Sequence, residues 1–464
     1  MIRLIFFLFF VPFGMKKFLF GFPAPFANFY TMEYTSAFLY ASDILILALF
    51  LFLLFSKPFS WYREQFDRLK LPLVFLGIFI AFSALSIFSA AYPAFSAYSF
   101  IRLIISILAA VSVLFVMVRG IANLRDITAV IALSAVFQSV VGFLQFILGK
   151  SVGLWFLGET AFGPGTPGIA KVTINGLQFA RAYGTMPHAN ILAGFLVLGL
   201  LAFFYLFLSE KKPVLRIFQS AGIFIVLTGL LATFSRSGWI TAGISALAFI
   251  AWEFFADREN RRRLYRLVLV SLVSLGALCL MLGWAISPRA HFSAREGPVS
   301  DRWSYNKIGL ELIVSNPLGV GIGNQLFHTY STNLFGKYDV NSWGQWQPIH
   351  NLYLIMASEI GILGLISFLA FIGFLVFKNL NLFRVSNLEI RISTIMLAAL
   401  LLFGLFDHFL WDLQLGRLML WVVIGILLGV DNIGIDLQKP LVFEGKNPVL
   451  EDGSEATARN QKVS

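Results

Sequence analysis

Two arginines and one histidine in this sequence lie in polar stretches between strongly apolar segments. Arg236 lies in the sequence TFSRSGW at 233–239, and Arg302 and His350 lie in the polar stretch 287–350. A guanidinium is a planar fork of donors that suits a diphosphate. A neutral imidazole can take a proton from an alcohol near pH 7. These residue types would suit the transfer of a group from a diphosphate to a hydroxyl.

Each of these residues also has a purely structural interpretation. Arg236 could be an interfacial arginine whose head reaches the lipid headgroups, although its small neighbours would let a ligand come close. An isolated loop arginine is usually solvated, and a lone histidine is often a surface residue. The other histidines to weigh are His188 and His408, which stand at similar boundaries and are alternative bases, and His291 and His328, which have no recognisable motif.

The composition requires a membrane. The 464 residues are 58% hydrophobic and 13% charged, whereas soluble domains carry about 25% charged residues. The net charge of +11 is better explained by basic cytoplasmic loops than by nucleic-acid binding. The single cysteine, Cys279, excludes an intrachain disulfide and a cysteine metal site. Asp407 and Asp412 share one short turn, which is weak support for a cation site.

Twelve apolar segments predict an all-α integral membrane protein with 11–12 transmembrane helices. The segments fall at 3–22, 35–55, 72–91, 101–118, 126–148, 189–208, 217–233, 237–255, 264–286, 351–377, 392–410 and 413–430. The first is the weakest, because Lys16 and Lys17 interrupt it. The predicted regions are 1–286 with spans 1–9, the large loop 287–350, 351–430 with spans 10–12, and a cytoplasmic, disordered tail at 431–464.

Basic clusters occupy alternate loops and set the predicted orientation. They comprise Lys57, Arg63, Arg68 and Lys70; Arg119 and Arg125; Lys211, Lys212 and Arg216; Arg258, Arg261, Arg262, Arg263 and Arg266; and Lys378, Arg384 and Arg391. The positive-inside rule assigns their side of the membrane to the cytoplasm. The two long polar loops, 149–188 and 287–350, are then extracytoplasmic.

The large loop is expected to contain short helices. Arg302 is predicted to open one of them, with Ser300 or Asp301 as the cap. Ile308, Leu312 and Ile313 would give it an apolar stripe for the membrane surface. The glycine-rich sequence PLGVGIGN at 317–324 lacks the strand and helix of a dinucleotide motif. It is interpreted as a tight turn of the loop.

Several motifs in a fixed order carry a family resemblance. They are Arg181, Gly184, Thr185 and Asn190, then SRSGW at 235–239, Arg302-Trp303, NPLGVGIGN at 316–324, HNLYL at 350–354 and EIGILG at 359–364. Their combination, over roughly residues 100–430, resembles the O-antigen ligase and Wzy-type polymerase family of bacterial membrane glycosyltransferases. This family often has His-Pro-Asn where the chain has Pro187-His188-Ala189-Asn190, so no role carries over to His188.

The resemblance implies a GT-C-like, metal-independent enzyme of the bacterial inner membrane, with its active site facing the periplasm and no cofactor. A glycan would move from an undecaprenyl-diphosphate carrier to an acceptor hydroxyl. Arg236 and Arg302 would hold the diphosphate, and His350 would activate the acceptor. The further candidates for substrate binding are Arg181, Asn190, Ser235, Trp239 and Asn351.

Three functions remain open at this point. The first is an O-antigen ligase that uses lipid A-core as the acceptor. The second, with the same chemistry, is a polysaccharide polymerase or a protein O-oligosaccharyltransferase. The third is a flippase or transporter of lipid-linked glycans, which would place charges at mid-membrane. Arg102 is the candidate for such a charge, but it lies near the end of a predicted span.

Overall fold

The chain folds into a bundle of long helices with two short β-hairpins. The computed structural model describes residues 13–23, 26, 32–58, 61, 69–163, 165–290, 297–340, 345–381 and 387–438. Arg63, Arg68, Arg384, His291, residues 3–12 of the first predicted span and residues 439–464 of the predicted tail lie outside them.

The elements follow the predicted segments closely. The strands are β1 (Lys16–Gly21), β2 (Ser36–Tyr40), β3 (Lys171–Ile174) and β4 (Leu177–Ala180). The helices are α1 (Ala41–Phe55), α2 (Lys70–Leu85), α3 (Pro93–Val118), α4 (Leu124–Leu148), α5 (Ala189–Ser209), α6 (Pro213–Ala232), α7 (Arg236–Ala256), α8 (Arg261–Ala290), α9 (Gly297–Ser315), α10 (Gln325–Ser331), α11 (Leu334–Lys337), α12 (Leu352–Asn381), α13 (Leu388–Phe403), α14 (Phe409–Asp412) and α15 (Gln414–Gln438).

Nine helices within the described ranges are long and apolar enough to cross a membrane. The protein is therefore a multi-pass membrane protein, as predicted. Two predicted spans are helical but short, because α1 has 15 residues and α13 has 16. A span needs about 20 residues at 1.5 Å each. Counted by length and apolarity, the described helices give nine spans, which is fewer than the expected 11–12.

The first predicted span is wrong in its second half. Lys16–Gly21 forms β1, which pairs antiparallel with β2 in the register Lys16–Tyr40 and Gly21–Ser36. Lys16 also forms an ion pair with Glu33 at 2.8 Å. The two lysines that interrupt the apolar run would be costly inside a bilayer, whereas an antiparallel hairpin leaves them accessible. The second predicted span correspondingly begins with a strand and becomes helical only at Ala41.

Burial separates the centre of the bundle from its lipid-facing rim. The span on α5 is completely enclosed, and the span on α8 is only 17% buried. Every residue of α5 from Ala189 to Leu208 is buried, which suits a helix that is apolar on all sides. Leu272 and Leu280 on α8 are instead exposed, as expected of a surface that faces lipid tails.

The basic loops meet at one end of the bundle. Residues far apart in sequence contact each other there: Arg119 with Ser56, Arg125 with Glu210, Arg263 with the carbonyl of Leu208, and Arg391 with Glu253. These contacts join the end of α1 to the end of α3, the end of α5 to the starts of α4 and α8, and the end of α7 to the start of α13. The parity assigned to the loops from the sequence therefore corresponds to one face of the structure.

The large loop differs from its prediction at the start of α9. That helix begins at Gly297 rather than at Arg302, so neither Ser300 nor Asp301 is its cap. Pro298 fits the first turn, where no backbone N–H is needed. Ile308 and Leu312 are buried, because α9 packs against α12. The apolar stripe thus serves a protein contact rather than the membrane surface.

The glycine-rich turn locks into a break in α12. Gly361 has φ 78° and ψ 164° inside that helix. Two carbonyls freed by the break accept hydrogen bonds from the turn, Ser358 from Val320 N–H at 2.9 Å and Glu359 from Gly321 N–H at 2.9 Å. The two glycine motifs that the sequence showed separately are one structural unit.

The last helix, α15, continues to Gln438. The tail was predicted to begin at 431, so its first residues are helical instead.

Candidate active site

A cavity of about 500 Å³ lies at the end of the bundle opposite the basic loops. Its polar lining residues are Lys171, Arg181, His188, Asn190, Ser235, Arg236, Ser237, Asp301, Arg302, Tyr305, Gln345, Gln347 and His350. The three residues singled out first from the sequence, Arg236, Arg302 and His350, therefore share one cavity. Arg181, Asn190 and Ser235 line it as well.

Arg236 is placed by the start of α7. Ser235 caps this helix, and its Oγ accepts the N–H of Gly238 at 3.2 Å. Phe234, just before it, has a left-handed φ of 49°, an uncommon conformation for a bulky residue. A Cβ at Gly238 would lie 2.7 Å from the Cβ of Ala193, so glycine lets α7 approach α5. The Arg236 guanidinium thus adds to the positive end of the α7 dipole.

Arg302 reaches the cavity from α9, together with Asp301 and Tyr305. Tyr305 Oη donates to the carbonyl of Gln345 at 2.6 Å, and Gln345 Nε2 donates to Asp301 at 3.3 Å. These bonds tie α9 to the chain segment that leads to His350. No carboxylate of the described residues forms an ion pair with Arg302, which is half-buried.

His350 is held in the orientation of a base. Its Nδ1 lies 2.8 Å from the carbonyl of Pro348, so Nδ1 must carry the proton. Its Nε2 then has a lone pair that can accept one. The ring of Tyr305 stacks on the imidazole at 5.2 Å with an angle of 15°. The residue is half-buried on the cavity wall.

His188 has the opposite tautomer and a structural task. Its Nδ1 accepts the N–H of Asn190 at 3.1 Å, so it caps α5 and its proton sits on Nε2. Burial and the nearby Arg181 lower the pKa of His188 to about 4. As an alternative base, His188 is therefore disfavoured by its hydrogen bonding.

His408 lies behind His350. The two rings meet edge to face at 4.8 Å. His408 Nδ1 lies 2.7 and 2.8 Å from the two oxygens of Asp412, and its backbone N–H donates to Asp407 at 2.8 Å. His408 is buried and does not line the cavity.

A chain of hydrogen bonds connects this second histidine to the cavity. Arg181 Nη2 donates to Asn190 Oδ1 at 2.7 Å, and Asn190 Nδ2 donates to Asp407 at 2.6 Å. Arg181 Nε also donates to the carbonyl of Thr233 at 2.6 Å. The side-chain amide of Asn190 thus bridges the opposite charges of Arg181 and Asp407.

Electrostatics set the protonation states of the cluster. Burial, the adjacent His408 and Arg302 lower the pKa of His350, and Asp407 opposes them. Burial alone would lower the pKa of His408, but the carboxylate of Asp412 raises it overall. Burial would raise the pKa of Asp407, yet His408, His350 and Arg302 keep it below its usual range. The arrangement favours a neutral His350 beside a charged His408.

Two of the predicted binding residues lie away from the cavity lining. Trp239 Nε1 donates to the carbonyl of Leu230 at 3.0 Å, which joins α7 to α6. Asn351 Oδ1 accepts the N–H groups of Tyr353 and Leu354 at 3.0 and 3.1 Å, so it caps α12. In this structure both residues hold helices in place.

One carboxylate connects the two histidines to the glycine turn. Glu359 accepts the N–H of Gly323 at 2.7 Å, that of Gln325 at 3.2 Å and the indole N–H of Trp411 at 2.7 Å. Trp411 lies on α14, in the turn that carries His408. Gln325 Oε1 accepts the N–H of Ile349, the residue before His350, at 3.3 Å. Glu359 is thus a positioning residue.

Sequence reasoning missed Lys171, Tyr305, Gln345 and Gln347 as cavity residues. Two of them had a usable signal. Lys171 is a cation on a loop assigned to the outer side, against the charge bias. Tyr305 follows Arg302 by three residues and so shares its helix face. The two glutamines had none, because their positions depend on how the loop folds back.

The carboxylates suspected of binding a cation are engaged by the protein. Asp412 holds His408, and Asp407 accepts two hydrogen bonds. Among the described residues, no group of three or more His, Cys, Asp or Glu side chains is arranged to hold a metal ion.

Comparison with known proteins identifies the central region of the chain. No curated protein matches it. Residues 221–369 match the family model Wzy_C, described as O-antigen ligase. That range contains Arg236, Arg302 and His350, and the family implies a membrane enzyme of the glycosyltransferase or ligase type. The resemblance read from the motifs is confirmed for this region, which matches the O-antigen ligase family.

Proposed function

We propose that this protein is a membrane glycosyltransferase that moves a glycan from an undecaprenyl-diphosphate carrier to an acceptor hydroxyl. One observation carries the proposal. Arg236, Arg302 and His350 come from three distant parts of the chain and line the same cavity. A cavity of about 500 Å³ lies within the size range of ligand sites in proteins.

The two arginines suit the leaving group. As the bond between the anomeric carbon and the diphosphate oxygen breaks, that oxygen keeps the electron pair and gains negative charge. Arg236 and Arg302 would bind the diphosphate from two sides, and the start of α7 adds a favourable dipole. Charges placed before the reaction lower the barrier without reorganisation. No metal is required for this step.

His350 suits the acceptor. Its Nε2 would take the proton of the acceptor hydroxyl while the oxygen attacks the anomeric carbon. The hydrogen bond from Nδ1 to Pro348 fixes the tautomer that this role requires. The stacked ring of Tyr305 keeps the imidazole in place. The proton can then pass to the released diphosphate, which balances the reaction without a cofactor.

The basic end of the bundle supports an orientation in the bacterial inner membrane. If that end faces the cytoplasm, the cavity faces the periplasm. There it would meet carrier and acceptor within the bilayer, with no need of nucleic acid or nucleotide.

Among acceptors, lipid A-core fits the family description O-antigen ligase, and we propose this role first. A polysaccharide polymerase or a protein O-oligosaccharyltransferase would use the same site. The acceptor that becomes labelled separates these roles. The decisive experiment adds a defined undecaprenyl-diphosphate glycan and one acceptor at a time to the purified protein.

A transporter is the second class of function, and one observation bears on it. Arg102 was expected near a span's end, but α3 begins at Pro93, so Arg102 lies well inside it. Arg102 is buried and paired with Asp43. This ion pair joins α3 to α1, which is a structural task for a buried arginine. The cavity cations favour the enzyme.

A further inference from the structure

The cavity contains a cation that neither the motifs nor the family match assigns. Lys171 is the first residue of β3 and lines the same cavity as Arg236 and Arg302. It lies outside the matched range 221–369. None of the ion pairs among the residues that the structure describes involves Lys171.

The backbone that carries Lys171 is fixed on several sides. Lys171 pairs with Ala180 on β4. The preceding residue, Ala170, donates its N–H to Tyr183 Oη at 2.7 Å and accepts the N–H of Arg181 at 3.1 Å. The position is therefore set by a hairpin and not by a loose loop.

The hairpin is also anchored to the bundle. Val172 and Ile174 are buried, and Lys171 is only half-buried, which is the alternation of a strand with one protein-facing side. On β4, Phe179 packs against Phe146 of α4 and Trp284 of α8, with centroids 6.1 and 6.2 Å apart. Lys171 is consequently held at the cavity by both strands.

The charged residues that line the cavity are mostly cations. Arg181 is matched by Asp407 through Asn190. The remaining charged lining residues of the described chain are three cations, Lys171, Arg236 and Arg302, and one carboxylate, Asp301. The described lining is therefore mostly cationic, which suits an anionic ligand, and Lys171 supplies one of these three cations.

We propose that Lys171 is a third ligand of the diphosphate, so that the β3–β4 hairpin is part of the donor site. This inference rests on the proposed function. An ammonium acts as a mobile point charge, so it complements the two guanidinium forks. It would interact most strongly with the second phosphate, and a monophosphate would gain less from it.

The test measures binding of farnesyl diphosphate and farnesyl monophosphate to the purified full-length protein. The variants are Lys171→Ala, Lys171→Arg and the matched control Lys150→Ala, an exposed lysine of the same loop that does not line the cavity. Lys171→Ala should weaken diphosphate binding about tenfold, as expected for one charge-assisted hydrogen bond at a half-exposed site. It should weaken monophosphate binding much less. Lys171→Arg should retain most of the affinity, and Lys150→Ala should bind like the wild type.

The outcomes separate this inference from the proposed function. If Lys171→Ala binds farnesyl diphosphate as tightly as the wild type, or loses both ligands equally, Lys171 is not a diphosphate ligand. If the wild type prefers the diphosphate and Lys171→Ala loses that preference, the inference holds even where no glycan transfer is detected. If the wild type transfers glycan and Lys171→Ala binds the diphosphate equally well, the proposed glycosyltransferase function stands. Lys171 is then not part of the donor site.

Discussion

His350 and His408 meet edge to face, with ring centroids 4.8 Å apart and an angle of 76° between the rings. One lies on the cavity wall, and the other is buried behind it in contact with Asp412. Because two positive charges at this distance repel, the charge on His408 opposes protonation of His350. A base must be neutral to accept a proton, so this pair protects the working form of His350 in mild acid.

The pH dependence of transfer tests this relationship. With a lowered pKa for His350, the rate should persist below pH 6.5, the value about which a free histidine titrates. His408→Asn removes the neighbouring charge, so the pKa of His350 should rise and the acid limb should move to higher pH. Asp407→Asn removes the carboxylate that favours the charged form of His350, so the limb should move to lower pH. The measurement is the rate between pH 4 and 8; identical profiles in all three proteins would refute the coupling.

Removal of the base itself should have the largest effect. His350→Ala should lower the rate by about 10²–10⁴-fold, the usual contribution of a general base. Donor binding should persist, because both arginines remain. His328→Ala is the control, since His328 lies on α10 outside the cavity lining. His188→Ala should be milder than His350→Ala. A loss of donor binding that matches the loss of rate would show that His350 is not the base.

Much of this site could be predicted from the sequence, for a physical reason. A guanidinium or imidazole at the outer edge of an apolar helix is unusual enough to stand out in one sequence. Arg236 and His350 were found in that way and Arg302 from its place in the long polar loop, and the structure places all three around one cavity. Their roles in binding and catalysis stay predictions.

Other parts depended on tertiary contacts that no local pattern shows. Lys16 and Lys17 marked the first predicted span as doubtful, but only pairing with 36–40 makes a strand of that stretch. Trp239 and Asn351 belong to the same motifs as the cavity residues, yet their hydrogen bonds go to helices. A sequence motif does not distinguish residues that line the cavity from residues that position them.

Arg236 and Arg302 should act through bidentate hydrogen bonds and not through their charge alone. Arg236→Ala and Arg302→Ala should abolish transfer while protein levels stay near normal, because both side chains are only half-buried. Arg236→Lys and Arg302→Lys should recover only part of the rate, since an ammonium cannot form the bidentate contact. The assay compares rates at saturating donor with the amount of folded protein. Full rates in both lysine variants would mean that a diphosphate clamp is the wrong role.

Orientation can be tested with single thiols. In a Cys279→Ser background, Arg302→Cys or His350→Cys should react with an impermeant thiol reagent when only the outer membrane is permeabilised. Lys212→Cys is the opposite control, because Lys212 is exposed at the basic end of the bundle. It should react only after the inner membrane is broken. The reverse pattern of labelling would invert the proposed orientation.

The interlock of the two glycine motifs gives a prediction for stability. At Gly361, whose φ is 78°, a Cβ would lie 2.7 Å from the carbonyl oxygen of Pro317 and 2.9 Å from the carbonyl carbon of Leu318. Gly361→Ala should therefore destabilise the protein by about 2 kcal/mol or more, from backbone strain and a clash with the turn. It should also lower transfer, because Glu359, two residues earlier, positions both histidine segments.

Gly373→Ala on the same helix is the matched control, since nothing lies within 4 Å of its added Cβ and alanine favours helix. Thermal unfolding in detergent should separate the two variants by a clear drop in Tm for Gly361→Ala alone. Equal Tm values would mean that α12 is not broken where the turn meets it.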